Sequence, residues 1–179
     1  MSYEEAEFND KDFKSIGSED IDYLKEKATK SKRGRYRLCL HNDTDHKTQE
    51  MFICLKRKSY FQPHKHPIDY SESYYMIEGM IDVYLMDDNG LIFEKIRLND
   101  NKNFKSKNFY YRLSSPIYHF VVPRSEWAIY HEVSSGPFVK SKNVLYGNFA
   151  PSESTSFESI KTYVNNILGD ESPYRLYNE

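Results

Sequence analysis

The stretch Pro63–Gly79, PHKHPIDYSESYYMIEG, holds the residues best placed to do chemistry: His64, His66 and Glu72. Successive side chains of a β-strand point to opposite faces, so residues two apart share one. On a strand, His64 and His66 therefore present both imidazoles to the same side. A short loop returns Glu72 beside them on the next strand. Two imidazoles and one carboxylate, with room for a further ligand, suit a divalent transition metal such as Fe, Mn, Zn or Ni. Gly79 fits a tight turn directly after that strand. The competing reading is a pair of surface histidines in a basic patch, since Lys56, Arg57, Lys58 and Lys65 lie nearby in sequence.

Such a site needs strands to hold it. In RYRLCLH, Arg35, Arg37, Cys39 and His41 alternate with Tyr36, Leu38 and Leu40, which is strand period with one polar and one apolar face. In QEMFICLK, Gln49, Met51, Ile53 and Leu55 share one face and Phe52 and Cys54 the other, as in a strand buried on both sides. Tyr60–His66 is the expected next strand, carrying both histidines. After SESYYMIEG, the DDNG of residues 87–90 signals a hairpin between β-rich runs. Residues 100–108 read as a polar loop. NFYYRLSSPIYHFVVP then supplies a strand pair and SEWAIYHEV a last strand. Many short strands with regularly spaced turns predict a sandwich or barrel.

Two helices flank this β region. Ser18 is the expected N-cap of EDIDYLKEKATK, with acids in the first turn, lysines in the last, and Ile21, Leu24 and Ala28 on one face. Thr155–Glu158 has the capping-box form, followed by Phe157, Ile160, Val164 and Ile167 on one stripe and Gly169 as a C-cap. Residues 1–17 read as a loosely held arm. The predicted division is an N-terminal arm and helix (1–33), a β-barrel (34–149) and a C-terminal helix and tail (150–179).

A chain of 179 residues suits one domain with a sizeable core. The formal net charge of −2 gives no overall attraction to nucleic acid or anionic membrane, so neither is expected as a partner. No N-terminal apolar run marks a signal peptide or a membrane span. With only Cys39 and Cys54 present, a reducing, cytoplasmic setting with both thiols free is the expectation.

The HxH, Glu72, Gly79 pattern resembles the first motif of the cupin superfamily, with one residue more than usual between His66 and Glu72. The longer loop leaves Asp69 or Tyr70 as alternative oxygen ligands. More widely, Arg35, Arg37, Cys39, His41, Asp45, Gln49, Met51, Pro63, His64, His66, Ser71, Glu72, Ser73, Gly79, His119, Glu132 and Gly136–Phe138 resemble the WbuC family of cupin-fold metalloproteins. The resemblance implies a double-stranded β-helix, an antiparallel barrel of jelly-roll type. It also implies a fourth ligand, His119, from a strand distant in the chain, and a frequent association with bacterial surface-polysaccharide genes. A hydrogen-bonded core histidine is the alternative role for His119. His131 or Glu132 is expected to orient a ligand or substrate, and His46 to be solvated in a turn.

If the polar face of the Arg35 strand turns inward, Arg35, Arg37 and His41 line the site, and arginine forks suit carboxylate or phosphate. A wet edge strand is the alternative. Gln49 and Tyr74 complete the set expected to bind substrate, an anionic sugar or nucleotide-sugar. The first functional reading is a metal-dependent isomerase, epimerase, lyase or oxygenase. The others are a non-enzymatic sugar- or metal-binding protein, and a metal-free sugar isomerase or epimerase using His and Tyr for proton transfer. The resemblance further implies a homodimer.

Overall fold

A computed structural model describes residues 5–9, 11–100 and 108–176. Most of the predicted polar loop at 100–108, and residues 1–4 and 10 of the arm, lie outside them. The strands are β1 (Ala6–Phe8), β2 (Arg35–Cys39), β3 (Thr48–Lys56), β4 (His64–Lys65), β5 (Glu72–Glu78), β6 (Met80–Met86), β7 (Ile92–Asn99), β8 (Tyr110–Leu113), β9 (Tyr118–Pro123), β10 (Trp127–Ser135) and β11 (Leu145–Tyr146). The helices are α1 (Ser18–Lys30), α2 (Lys140–Asn143), α3 (Phe157–Leu168) and α4 (Pro173–Leu176).

Two sheets face each other, in the orders β1-β2-β3-β10-β5-β8 and β11-β4-β9-β6-β7. All pairings are antiparallel except β1 with β2. Strands remote in sequence are neighbours: β10 lies between β3 and β5, and β9 between β4 and β6. The chain therefore rolls up between the two layers, as in the double-stranded β-helix expected of a cupin-type fold. Residues 6–8, expected to be irregular, add a parallel edge strand to β2. The predicted long strand before the metal motif shrinks to His64–Lys65.

Three apolar clusters form four layers. Met51, Ile53, Leu55, Met76, Val83, Leu98 and Val121 fill the space between the sheets. Leu24 and Ala28 of α1, both 0 % exposed, pack on Tyr36, Leu38 and Cys54 outside the six-stranded sheet. Burying a leucine of this kind is worth about 2 kcal/mol. Ile160, Val164 and Leu168 of α3 cover Tyr84, Phe120 and Val122 outside the other sheet. The stripe thus ends on Leu168, and Phe157, predicted to belong to it, is 55 % exposed. Cys39 faces the inter-sheet core and Cys54 faces α1, on opposite sides of one sheet, so both remain free thiols.

Local capping differs from expectation by one residue at each helix. Gly17 precedes α1, and its N–H donates to the Asp20 carboxylate at 2.8 Å. Ser156, not Thr155, caps α3 by accepting from the Ser159 N–H. The β6–β7 turn follows the DDNG reading: Asp87 Oδ1 accepts the N–H groups of Asn89 and Leu91, both at 2.9 Å, and Gly90 takes φ 84°. Gly79 takes φ 77° between β5 and β6.

A buried ion cluster pins the C-terminal segment to the five-stranded sheet. Arg97 grips Asp82 with Nε and Nη2 at 2.7 and 2.9 Å, and Arg124 Nε reaches it at 2.6 Å. Arg124 also donates to the Glu171 carbonyl and the Tyr84 hydroxyl. Burial works against the charged carboxylate, but the two guanidiniums outweigh it and hold Asp82 below the usual carboxylate range.

Candidate metal centre

The two sheets bring distant residues to one point. His64 on β4 pairs directly with His119 on β9 in one sheet. Glu72, the first residue of β5, comes from the other sheet, opposite Ser134 and Leu113. The donor atoms of His64, His66 and His119 all lie within 4.8 Å of one another. The His64 ring centroid is 4.4 Å from that of His119 and 5.2 Å from that of His66. Glu72 completes the group, with Oε2 3.2 Å from His66 Nε2 and Oε1 3.0 Å from His119 Nε2.

The extra residue before Glu72 is absorbed in the loop. Asp69 adopts φ 70°, a conformation that Asp tolerates better than most residues, and the Tyr70 N–H returns to the Pro67 carbonyl. Asp69 is exposed and stands outside the cluster. Tyr70 stacks on His66 at 4.3 Å instead of supplying an oxygen to it.

Each imidazole is oriented by a backbone carbonyl at Nδ1: Gln62 for His64 at 3.0 Å, Asn143 for His66 at 2.6 Å and Ile117 for His119 at 3.2 Å. A carbonyl only accepts, so each ring carries its proton on Nδ1 and turns an Nε2 lone pair to the common point. His119 Nε2 and Glu72 Oε1 are buried and, among the described residues, have no hydrogen-bond partner despite their proximity. Two acceptors facing each other in a dry site repel, and a shared cation removes the repulsion. The donor set of three imidazoles and a carboxylate therefore fits a divalent metal ion.

The electrostatics carry the same signature. Burial, then the neighbouring His119 and His66, push His64 down to about 3. Burial likewise lowers His119. Burial also opposes charge on His66, but its contact with Glu72 outweighs that and raises it. Burial opposes charge on Glu72 as well, yet His119 and His66 bring it down to about 2. Glu132, two rows away on β10, is pushed up to about 7 by burial and then by the charge of Glu72.

The cluster lies at the wall of a cavity of about 500 Å³ between the sheets. Arg35, Arg37, His41, Gln49 and Tyr74 all line it, so the polar face of β2 does turn inward. They are not equally available. Arg35 is held by Glu5 and Glu153. His41 Nδ1 is tied to the Glu50 backbone at 2.9 Å, and the Tyr74 ring packs at a tilt against Tyr130 and Tyr111. Glu132 faces the cavity, whereas His131 sits on the opposite face of β10, bound to Glu50 at 2.9 Å and stacked on Phe52. Strand alternation decides between these two neighbours. His46 is exposed in its turn. The Asn143 carbonyl, which orients His66 from α2, has no signal in the sequence because the contact is made by backbone.

Fold and cluster together define a β-barrel of cupin type with a histidine–carboxylate group suited to a metal. A family model described as a domain of unknown function, DUF6016, matches residues 16–98. That span includes His64, His66 and Glu72 and stops before His119. No curated protein matches. Among solved structures, protein SO0799 from Shewanella oneidensis is similar at 9 % identity and a TM-score of 0.54, over 74 % of this chain and 85 % of that one. Oxalate oxidase in complex with the substrate analogue glycolate is 11 % identical with a TM-score of 0.49, over 66 % of this chain and 57 % of that one. KdgF from Halomonas sp. is 18 % identical with a TM-score of 0.44, over 60 % of this chain and 82 % of that one. At such identities a likeness bears on fold alone, and of these three only SO0799, with a TM-score above 0.5, bears on it.

Proposed function

We propose that the chain is a metal-dependent enzyme of the cupin class, with His64, His66, Glu72 and His119 as ligands of one divalent ion. The carrying observation is the unpartnered, buried pair His119 Nε2 and Glu72 Oε1, at the meeting point of three imidazoles. An ion held there supplies Lewis-acid chemistry: it polarises a carbonyl or hydroxyl oxygen, or acidifies water. The chain's own residues do the rest. The Nδ1–carbonyl bonds fix the imidazoles, and Tyr70 packs on His66.

The substrate is a carbohydrate or a related anionic small molecule. The resemblance of the motif set to the WbuC family and the aromatic walls, which include Phe61, Tyr74, Tyr130 and Tyr146, support this reading, and the resemblance alone suggests a role in surface-polysaccharide synthesis. Isomerisation, epimerisation, lyase and oxygenase chemistry all suit the site. The barrel of residues 34–149 acts as the functional unit, with the flanking helices as covers. Two buried free thiols fit a reducing compartment such as the cytoplasm. Among the described residues no helix is long and apolar enough to cross a membrane. A homodimer is proposed as well; Tyr75, Phe109 and Tyr110 are exposed at the β8 edge of the six-stranded sheet and form an apolar patch for it.

Elemental analysis of purified protein, followed by turnover assays of the loaded protein on a panel of sugars, tests the enzymatic reading. Stoichiometric metal with product formation supports it. Metal and tight sugar binding without product would assign a binding role instead. Full metal occupancy in a His64→Ala, His66→Ala double variant would place any metal elsewhere. Light scattering that gives a monomer mass over a wide concentration range would rule out the dimer.

A further inference from the structure

Two arginines stand two residues apart on β2, and the fold treats them differently. Arg35 is 5 % exposed and fully committed. Its Nη1 and Nη2 reach Glu153 at 3.0 and 2.8 Å, its Nε reaches Glu5 at 3.1 Å, and Nη1 also donates to the Tyr60 carbonyl at 3.2 Å. Arg33 joins the same two carboxylates. Two guanidiniums and two carboxylates balance, and this group leaves no net charge for a ligand.

Arg37 lines the same cavity, half-buried, and its side chain makes no hydrogen bond or ion pair among the described residues. A guanidinium drawn partly out of water without a partner is unfavourable, and its planar fork is matched by a carboxylate. The register sets its place. Arg37 opposes Ile53, which opposes Tyr130, while Glu72 opposes Ser134 further along the same strand. From Tyr130 to Ser134 is four residues, about 13 Å of strand rise, and β2 lies three strand spacings from β5, about 14 Å across the sheet; both residues nonetheless line one cavity, and the long arginine side chain spans part of the separation. Glu132 lies between the two rows.

Gln49 supplies a second polar element. Its amide nitrogen donates to the carbonyls of Asp43, Thr44 and His46, at 3.4, 3.3 and 2.8 Å. That fixes the amide and leaves Oε1 as an acceptor for a hydroxyl donor. We propose that Arg37 is the anion anchor of this cavity, selecting a hydroxylated monocarboxylate of sugar-acid size whose far end reaches the metal centre. This rests on the metal-site reading for the far end alone. A nucleotide diphosphate brings at least two negative charges; beside Arg37 the lining offers Lys140, whose ammonium lies over the Tyr146 ring next to Glu153, and the carboxyl of Glu132, so the planar fork of Arg37 suits a single carboxylate better. A neutral sugar leaves Arg37 unsatisfied.

Isothermal titration tests this with D-glucuronate, D-galacturonate, D-glucose and UDP-glucose, on protein as purified and after metal removal with EDTA. At least one uronate binds about tenfold or more tighter than glucose and UDP-glucose. Arg37→Gln lowers uronate affinity by about tenfold or more and leaves bound metal unchanged. Arg37→Lys, which keeps charge but not the fork, loses several-fold and serves if Arg37→Gln does not fold. Equal affinity for uronates and glucose, preference for UDP-glucose, absence of uronate binding, or unchanged affinity in both variants overturns the proposal. Elemental analysis of the same samples separates it from the metal reading. Uronate binding that depends on Arg37 in metal-free protein supports the anchor even if no metal is found. Charge-blind binding to metal-loaded protein sinks the anchor alone.

Discussion

Glu72→Gln perturbs the candidate centre with the least collateral change, because it removes a charge and keeps the side-chain volume. Four donors converge there: three imidazoles and this carboxylate. Four-ligand structural zinc sites release roughly 10–16 kcal/mol, so one donor in four carries roughly 2.5–4 kcal/mol. That corresponds to about two to three decades of affinity. An amide oxygen remains a weak donor, so a loss of about a hundredfold is expected. Linkage makes the loss visible in stability. Free metal at about a hundredfold excess over Kd stabilises the native protein by about 2.7 kcal/mol. For a chain of this length that raises Tm by about 5–11 °C. In Glu72→Gln the same free metal sits near Kd, and the stabilisation shrinks to about 0.4 kcal/mol, roughly 1 °C. The assay is thermal unfolding with and without Mn²⁺, Ni²⁺ or Zn²⁺, each at fixed free concentration, with elemental analysis after dialysis. His46→Ala, in the exposed turn, keeps the full shift. A Glu72→Gln protein with full metal content and the full thermal shift would refute the assignment of the carboxylate.

Metal affinity is expected to fall with pH. His66 is the imidazole raised above its ordinary range, so its proton competes first, and affinity drops by up to about tenfold per pH unit below that point. His64, held near 3, adds no competitor until far lower pH. Chelator competition giving constant affinity from about pH 8 to about pH 5.5 contradicts this ordering. Gly79→Ala is expected to destabilise by about 2–5 kcal/mol, since a Cβ at φ 77° is strained and collides with the Trp127 carbonyl oxygen; a change below about 1 kcal/mol in urea unfolding would show that the turn relaxes. Asp82→Ala removes the buried carboxylate that both Arg97 and Arg124 grip and is expected to cost about 3–5 kcal/mol. Because the Asp82 pKa is depressed in the folded state, its contribution is present above the ordinary carboxylate range and is lost as pH falls through the depressed value. A wild-type to Asp82→Ala stability gap that stays constant from neutral to strongly acid pH would exclude this linkage.

Much of the site was readable from local pattern. Alternation put His64 and His66 on one side and sent Met51 and Ile53 to the inter-sheet core, with Cys54 to the other face. These are consequences of a two-residue period, which a sequence carries in full. The DDNG turn and both flanking helices are local in the same sense, although each cap lies one residue from the expected position.

Register across the sheets is not local, and it decided the rest. Only the pairing of β4 with β9 sets His119 opposite His64, and only the facing sheet supplies Glu72. Alternation alone left His131 and Glu132 equivalent, and the orientation of β10 turned Glu132 inward. Arg35 and Arg37 read as twins in the sequence. Glu5 and Glu153, one near each end of the chain, neutralise the first and leave the second facing the cavity. Charge pairing between segments more than a hundred residues apart has no local period, so it exists only once the chain has closed on itself.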